Sequence, residues 1–192
     1  VRSWWDGTRR VLIVVPAPAG DAVASEVRTR ARGKCTACRH GFTVYAAGEY
    51  PRRVYQPDVV ARVVAAHAIG AQGAAAAGAR AGASATSARR WTRWLAALID
   101  VGALLAIAAQ LDAESAHGAG LAGSSGHGVR ALATRALSAM EALGKALVQT
   151  GVRLASVTGL GRLLEWQFVA HRVAVPLTGR GAAASPRMVI QR

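Results

Sequence analysis

Cysteine is nearly absent from this chain: Cys35 and Cys38 are the only two among 192 residues. One pair, spaced C-x-x-C, excludes the multi-bridge framework of a small secreted protein. Lysine is as scarce, with Lys34 and Lys145 alone, so arginine carries nearly all of the positive charge. Acidic residues number 10 against 24 basic ones, an imbalance that points to a polyanion as partner. Long apolar runs are also missing. Residues 11–15 are too few for a signal peptide and are stopped at once by Pro16, so a cytoplasmic chain is expected. The stretch 94–111 has nearly the apolar length needed to span a bilayer, but Asp100 falls inside it. A carboxylate at that depth is costly, so the stretch reads as one long soluble helix packed against others. Hydrophobic residues make up 52%, but alanine supplies much of this and buries little area per residue.

What is present is unevenly placed. Residues 1–56 carry ten basic and four acidic side chains, 57–98 five and one, 99–178 six and five, and 179–192 three and none. A polyanion should therefore meet the first 98 residues, while the nearly neutral back half has another task.

Residues 1–56 read as a small basic β region. Val11-Leu12-Ile13-Val14-Val15 is a β-branched run closed by Pro16 and Pro18. Over 27–34 the alternation sets Arg28, Arg30 and Arg32 on one side of the pleat. Cys35-Thr36-Ala37-Cys38-Arg39-His40-Gly41 reads as a tight turn and Phe42-Thr43-Val44-Tyr45 as the returning strand. Strand, C-x-x-C knuckle and strand make half of a zinc ribbon. Structural zinc is tetrahedral and takes four ligands. No other cysteine exists, and Val15-Pro16-Ala17-Pro18-Ala19-Gly20 cannot ligate where a first knuckle is expected. His40 follows Cys38 too closely to serve comfortably on the same turn. The ligand count thus favours a reduced thiol pair in a hairpin turn, and no βαβ pattern supports thioredoxin-like redox use.

Tyr50-Pro51-Arg52-Arg53-Val54-Tyr55-Gln56-Pro57 is a stiff basic link with aromatics interleaved. Pro57 suits the first position of a helix, with Asp58 near its positive end. An amphipathic helix is expected to Gly70, then a short alanine-rich one over 71–81 with Gly73 and Gly78. Gly82 ends that segment, and Ser84 offers an oxygen to cap the next helix. Ala88, Trp91, Leu95 and Leu98 recur on one apolar face. Thr86, Ser87, Arg89, Arg90 and Arg93 lie in the first turn or off that face. An aromatic anchor inside and guanidinium groups outside suit contact with base edges and phosphates, as in the second helix of a helix-turn-helix. An ordinary Arg-rich surface helix has the same spacing.

The order C-x-x-C, Phe-Thr-Val-Tyr, Arg-Arg-x-Tyr and Gly-x-Ser-x-Thr-x-x-Arg-Arg-Trp resembles the N-terminal recognition region of insertion-sequence transposases and related mobile-element proteins. The resemblance covers about residues 27–98 and lacks the first cysteine pair. It implies a zinc ribbon with Cys35 and Cys38 as ligands. It also implies double-stranded DNA as partner, contacted by Thr86, Ser87, Arg89, Arg90 and Arg93. Such transposases cut DNA with three carboxylates holding two metal ions. Beyond residue 98 only Asp100, Asp112, Glu114, Glu141 and Glu165 remain, in alanine-leucine segments too short for that domain.

The back half, 99–178, reads as helical, with a Gly/Ser-rich linker at 113–128. Leu132, Ala136, Met140, Leu143, Leu147 and Leu154 trace one helical face, and Glu141 and Lys145 form an i,i+4 pair. A second face runs from Leu160 through Leu164 and Phe168 to Val175, stopped by Pro176. Such a helical hairpin packs internally or pairs with another copy. Residues 179–192 read as a disordered tail. The five histidines are scattered, and no nucleophile–base set emerges.

These readings converge on a mainly α chain with a small N-terminal β-hairpin region. A helix-turn-helix over 57–98 follows, then a C-terminal helical hairpin or bundle. The expected function is non-catalytic DNA binding. Arg28, Arg30, Arg32, Arg52 and Arg53 would track phosphate, zinc would be the only cofactor in question, and the C-terminal helices would self-associate. The alternatives are a membrane-associated protein with 94–111 inserted, or a decayed reading frame without selected function.

Overall fold

The computed structural model describes residues 3–17, 22–45, 54–98, 100–121 and 126–171, and among these three strands precede seven helices. Strands β1 (Ser3–Pro16), β2 (Val23–Cys35) and β3 (Gly41–Thr43) form one antiparallel sheet in chain order. The β1–β2 register runs from Pro16 opposite Val23 to Ser3 opposite Cys35, with a bulge between Trp5 and Gly7. Directly paired residues share a face. Arg28 stands opposite Val11, Arg30 opposite Arg9 and Arg32 opposite Gly7, on the same face as buried Ile13. The three arginines therefore share one side of the pleat, as the alternation implied. The chain then returns to β1: Val14 N donates to Val54 O at 2.8 Å and Gln56 N to Val14 O at 2.9 Å. This parallel contact seats Tyr55 and starts the first helix immediately afterwards.

The helices are α1 (Pro57–Ala68), α2 (Ala74–Ala79), α3 (Ala85–Leu98), α4 (Val101–Leu111), α5 (Ala113–Leu121), α6 (Val129–Gln149) and α7 (Gly159–His171). Helix α6 is the hub, packed on α1, α3, α4, α5 and α7. Its Ala133, Ala136, Ala139, Met140, Leu143, Ala146 and Leu147 are buried. Small residues let helix axes approach closely, which offsets the little apolar area that each alanine removes from water. Val59, Val63 and Val64 of α1, Leu95 of α3, and Leu160 and Leu163 of α7 complete one shared core. The helix-turn-helix and the C-terminal helices are thus packed together rather than set apart at residue 98, and α6 spends its apolar face inside the chain.

Carboxylates fix the helix ends. Asp58, in the first turn of α1 and 8% exposed, accepts hydrogen bonds from Thr158 Oγ1 and, at 3.3 Å each, from the amides of Val157 and Thr158. It therefore clasps the start of α7 across a hundred residues of chain. Glu141 accepts from Gly159 N at 2.7 Å and faces Arg162 at 3.7 Å, so it turns to α7 and not to Lys145. Glu165 reaches back to the amides of Ala155 and Ser156.

Three expectations are corrected. The stretch 94–111 is two helices with axes bent by 68°, because Asp100 accepts from Ala103 N at 3.0 Å and starts α4 afresh. No single helix among the described residues is long and apolar enough to cross a membrane. The linker expected over 113–128 contains α5. Asp112 bonds Glu114 N and Ser115 Oγ at its start, and the helix packs on α4 and α6. Leu154 lies beyond the end of α6, and Leu132 is 37% exposed, so neither belongs to the buried stripe. The segment from 172 onward, with the expected tail, lies outside the described residues.

Candidate nucleic-acid interface

The turn before α3 is built from glycine and serine. Gly82 has φ +61°, a left-handed backbone that side chains with a Cβ resist. Ser84 Oγ accepts from Ser87 N at 3.1 Å, capping the helix as its position implied. Gly78 is a requirement the sequence pattern did not reveal. A Cβ there would lie 2.6 Å from Ala83 O, so only glycine lets α2 close onto the turn. Its signal was its spacing from Gly82, one helical turn away.

Ala88, Trp91 and Leu95 are buried as expected, together with Thr92, whose hydroxyl donates to Ala88 O at 2.9 Å. Tyr55 secures the assembly: its hydroxyl donates to Gly82 O at 3.1 Å, and its ring meets Trp91 edge-on at 4.9 Å. Sheet, turn and helix are joined through this one residue. Behind α3 lies a cavity of about 220 Å³ lined by Tyr55, Pro57, Trp91, Trp94 and Leu160, with Ser87 and Arg90 at its polar side.

The other side of α3 is open. Thr86, Arg89, Arg90 and Arg93 are exposed and share one helix flank, whereas Ser87 is half-buried on the cavity side, which Arg90 borders. Among the described residues, none of the three arginines has a hydrogen-bond or ion-pair partner. No acidic residue occupies the first turn of α3, so the positive end of the helix dipole is left unneutralised by its own side chains.

The hairpin arginines differ. Arg28 is paired with Glu26 at 2.6 Å, and Arg30 is buried with its guanidinium 4.6 Å from the centre of the Tyr45 ring. Those two are engaged within the sheet, and Arg32 is the exposed member of the trio. Arg52 and Arg53 lie outside the described residues.

Cys35 and Cys38 are reduced and occupy the β2–β3 turn, where Cys35 N donates to His40 O at 3.0 Å and Arg39 N to Cys35 O at 2.9 Å. The backbone amides of Cys38 and Ala37, then the Cys38 side chain, hold the Cys35 thiol below its ordinary range by hydrogen bonding to its sulfur. That favours a thiolate ligand. A zinc ribbon within one chain nevertheless does not fit, because no group of three His, Cys, Asp or Glu side chains converges among the described residues.

Of the histidines, His67 is buried, with Nδ1 2.8 Å from Gln72 O and 3.4 Å from Arg130, a packing role. Compared with known protein families, curated proteins and solved structures, the chain matches none.

Proposed function

We propose that this protein binds double-stranded DNA through α3, without cutting it, in the manner of the mobile-element recognition regions that its sequence resembles. The observation that carries this reading is the flank of Thr86, Arg89, Arg90 and Arg93. It holds three exposed arginines with no partner among the described residues, on a helix fixed by Gly82, Ser84 and Tyr55. An unpaired guanidinium on a rigid helix can grip guanine or phosphate with little loss of side-chain freedom. Helix α1 and the turn from α2 supply the support that such a helix needs to enter a major groove. Four of the five carboxylates beyond residue 98 are engaged at backbone amides, Asp100, Asp112 and Glu141 at helix starts and Glu165 in the loop before α7. Their engagement with backbone amides supports a binding role over metal-dependent cleavage. Arg28 and Arg30 contribute less to phosphate contact than their sequence alternation implies, since Glu26 and Tyr45 occupy them.

The test is a binding titration on a pool of random duplexes at two salt concentrations. Arg90→Ala and Arg93→Ala should each weaken binding roughly 5- to 150-fold where the side chain makes a bidentate base contact. Each phosphate contact adds about −0.9 to the slope of log affinity against log salt. Arg153→Ala, exposed in the loop after α6, should leave binding unchanged. Salt-insensitive curves, identical for wild type and the α3 variants, would end the reading.

A further inference from the structure

Among the described residues, the thiol pair and the ligand count disagree. Cys35 and Cys38 lie in one tight turn with amide–sulfur hydrogen bonds, yet tetrahedral structural zinc requires four donors. The chain contains no third cysteine. We propose that two copies of this chain share one zinc ion, each supplying Cys35 and Cys38 from its hairpin tip.

The architecture leaves the tip open to a second copy. Cys35 pairs with Ser3 at one end of the β1–β2 ladder, whereas the sheet joins the helices near the other end, where Val14 meets Val54 and Gln56. Eleven residue steps lead from Ser3 to Val14, about 35 Å of extended chain. Among the described residues the sheet meets the helices chiefly through β1 and α1, at the end of the ladder away from the knuckle. Thr36, Ala37, Cys38, Arg39 and His40 are all exposed there.

Binding releases four thiol protons to solvent and leaves one zinc with four thiolates, a centre of net charge −2. Lys34 and Arg39 adjoin the two thiols in sequence, so each copy brings cationic residues near that centre. No electron is transferred, and no co-reactant is needed.

The inference does not depend on DNA binding and is tested without DNA. The full chain, kept reduced with a phosphine, is titrated with Zn²⁺ alone while bound metal and solution mass are measured. The expected result is half an equivalent of zinc per chain, with a doubling of mass that a chelator reverses. Co²⁺ in place of zinc should give the intense sulfur-to-metal absorption of a tetrathiolate site. Cys38→Ser changes an exposed thiol and leaves the fold intact by circular dichroism; it should abolish both the metal uptake and the mass change. One full equivalent on a monomer, metal retained by Cys38→Ser, or no uptake by the reduced chain would each overturn the proposal.

Discussion

Removing the Asp58 carboxylate is the sharpest probe of how the two halves of the chain hold together. Asp58→Ala leaves Thr158 Oγ1 and the amides of Val157 and Thr158 without their acceptor. A hydrogen bond to a charged group contributes about 1.5–3 kcal/mol, and a donor left buried adds its own desolvation cost. The two amide bonds, at 3.3 Å, are long and count near the low end, while the hydroxyl bond is short and counts fully. The expected loss is about 3–4 kcal/mol, close to what breaking a buried charged contact costs. For a chain of this size, that lowers Tm by roughly 10 °C. Urea unfolding followed by circular dichroism reads the loss directly. Asp58→Asn keeps one acceptor oxygen and should lose about half as much. In a double-mutant cycle, Asp58→Ala and Thr158→Ala should fall short of additivity by at least ~1 kcal/mol, because they delete the same bond. A loss below ~1 kcal/mol for Asp58→Ala, or strict additivity, would refute the clasp.

Gly78→Ala sets a Cβ 2.6 Å from Ala83 O; the forced shift should cost about 1–3 kcal/mol despite the better helix propensity of alanine, and thermal melts would show it. The same variant should weaken DNA binding more than its stability loss explains, since the turn that orients α3 must move. Tyr55→Phe removes only the bond to Gly82 O and should cost about 1 kcal/mol in urea unfolding while leaving the Trp91 contact intact.

Local rules recovered what local contacts decide. Gly82, Ser84 and the Ala88, Trp91, Leu95 stripe are read correctly because turn, cap and helical period lie within a dozen residues. The shared face of Arg28, Arg30 and Arg32 follows from alternation for the same reason, whereas the long pairing of β1 with β2 joins strands that the sequence reading left unpaired. Asp100 misled because one residue type serves two purposes. Inside an apolar run, a carboxylate reads as an intruder in a long helix, yet it equally well begins a new one. Asp58 read as a helix-dipole partner, and its principal partners lie near Thr158, beyond any sequence window. Arg28 and Arg30 look like solvent-facing charge until Glu26 and Tyr45 are placed against them. Trp91 was legible as an anchor, but its partner Tyr55, in the preceding basic link, was not.

The Asp58 clasp also bears on how the protein is made. Synthesis runs from the N-terminus, and α1 to α3 leave the ribosome well before the residues that complete their core. At 5–20 residues per second, roughly 3–12 s pass between residue 98 and residue 158. During that interval Val59, Val63 and Leu95 have no α6 or α7 to cover them. The nascent chain therefore carries an exposed apolar surface beside a cluster of arginines, where chaperones or nucleic acid can reach it. Contacts spanning a hundred residues also close slowly, since the loop entropy must be overcome first. A fragment that stops near residue 98 would hold the recognition helix in sequence but lack the surface on which it is built.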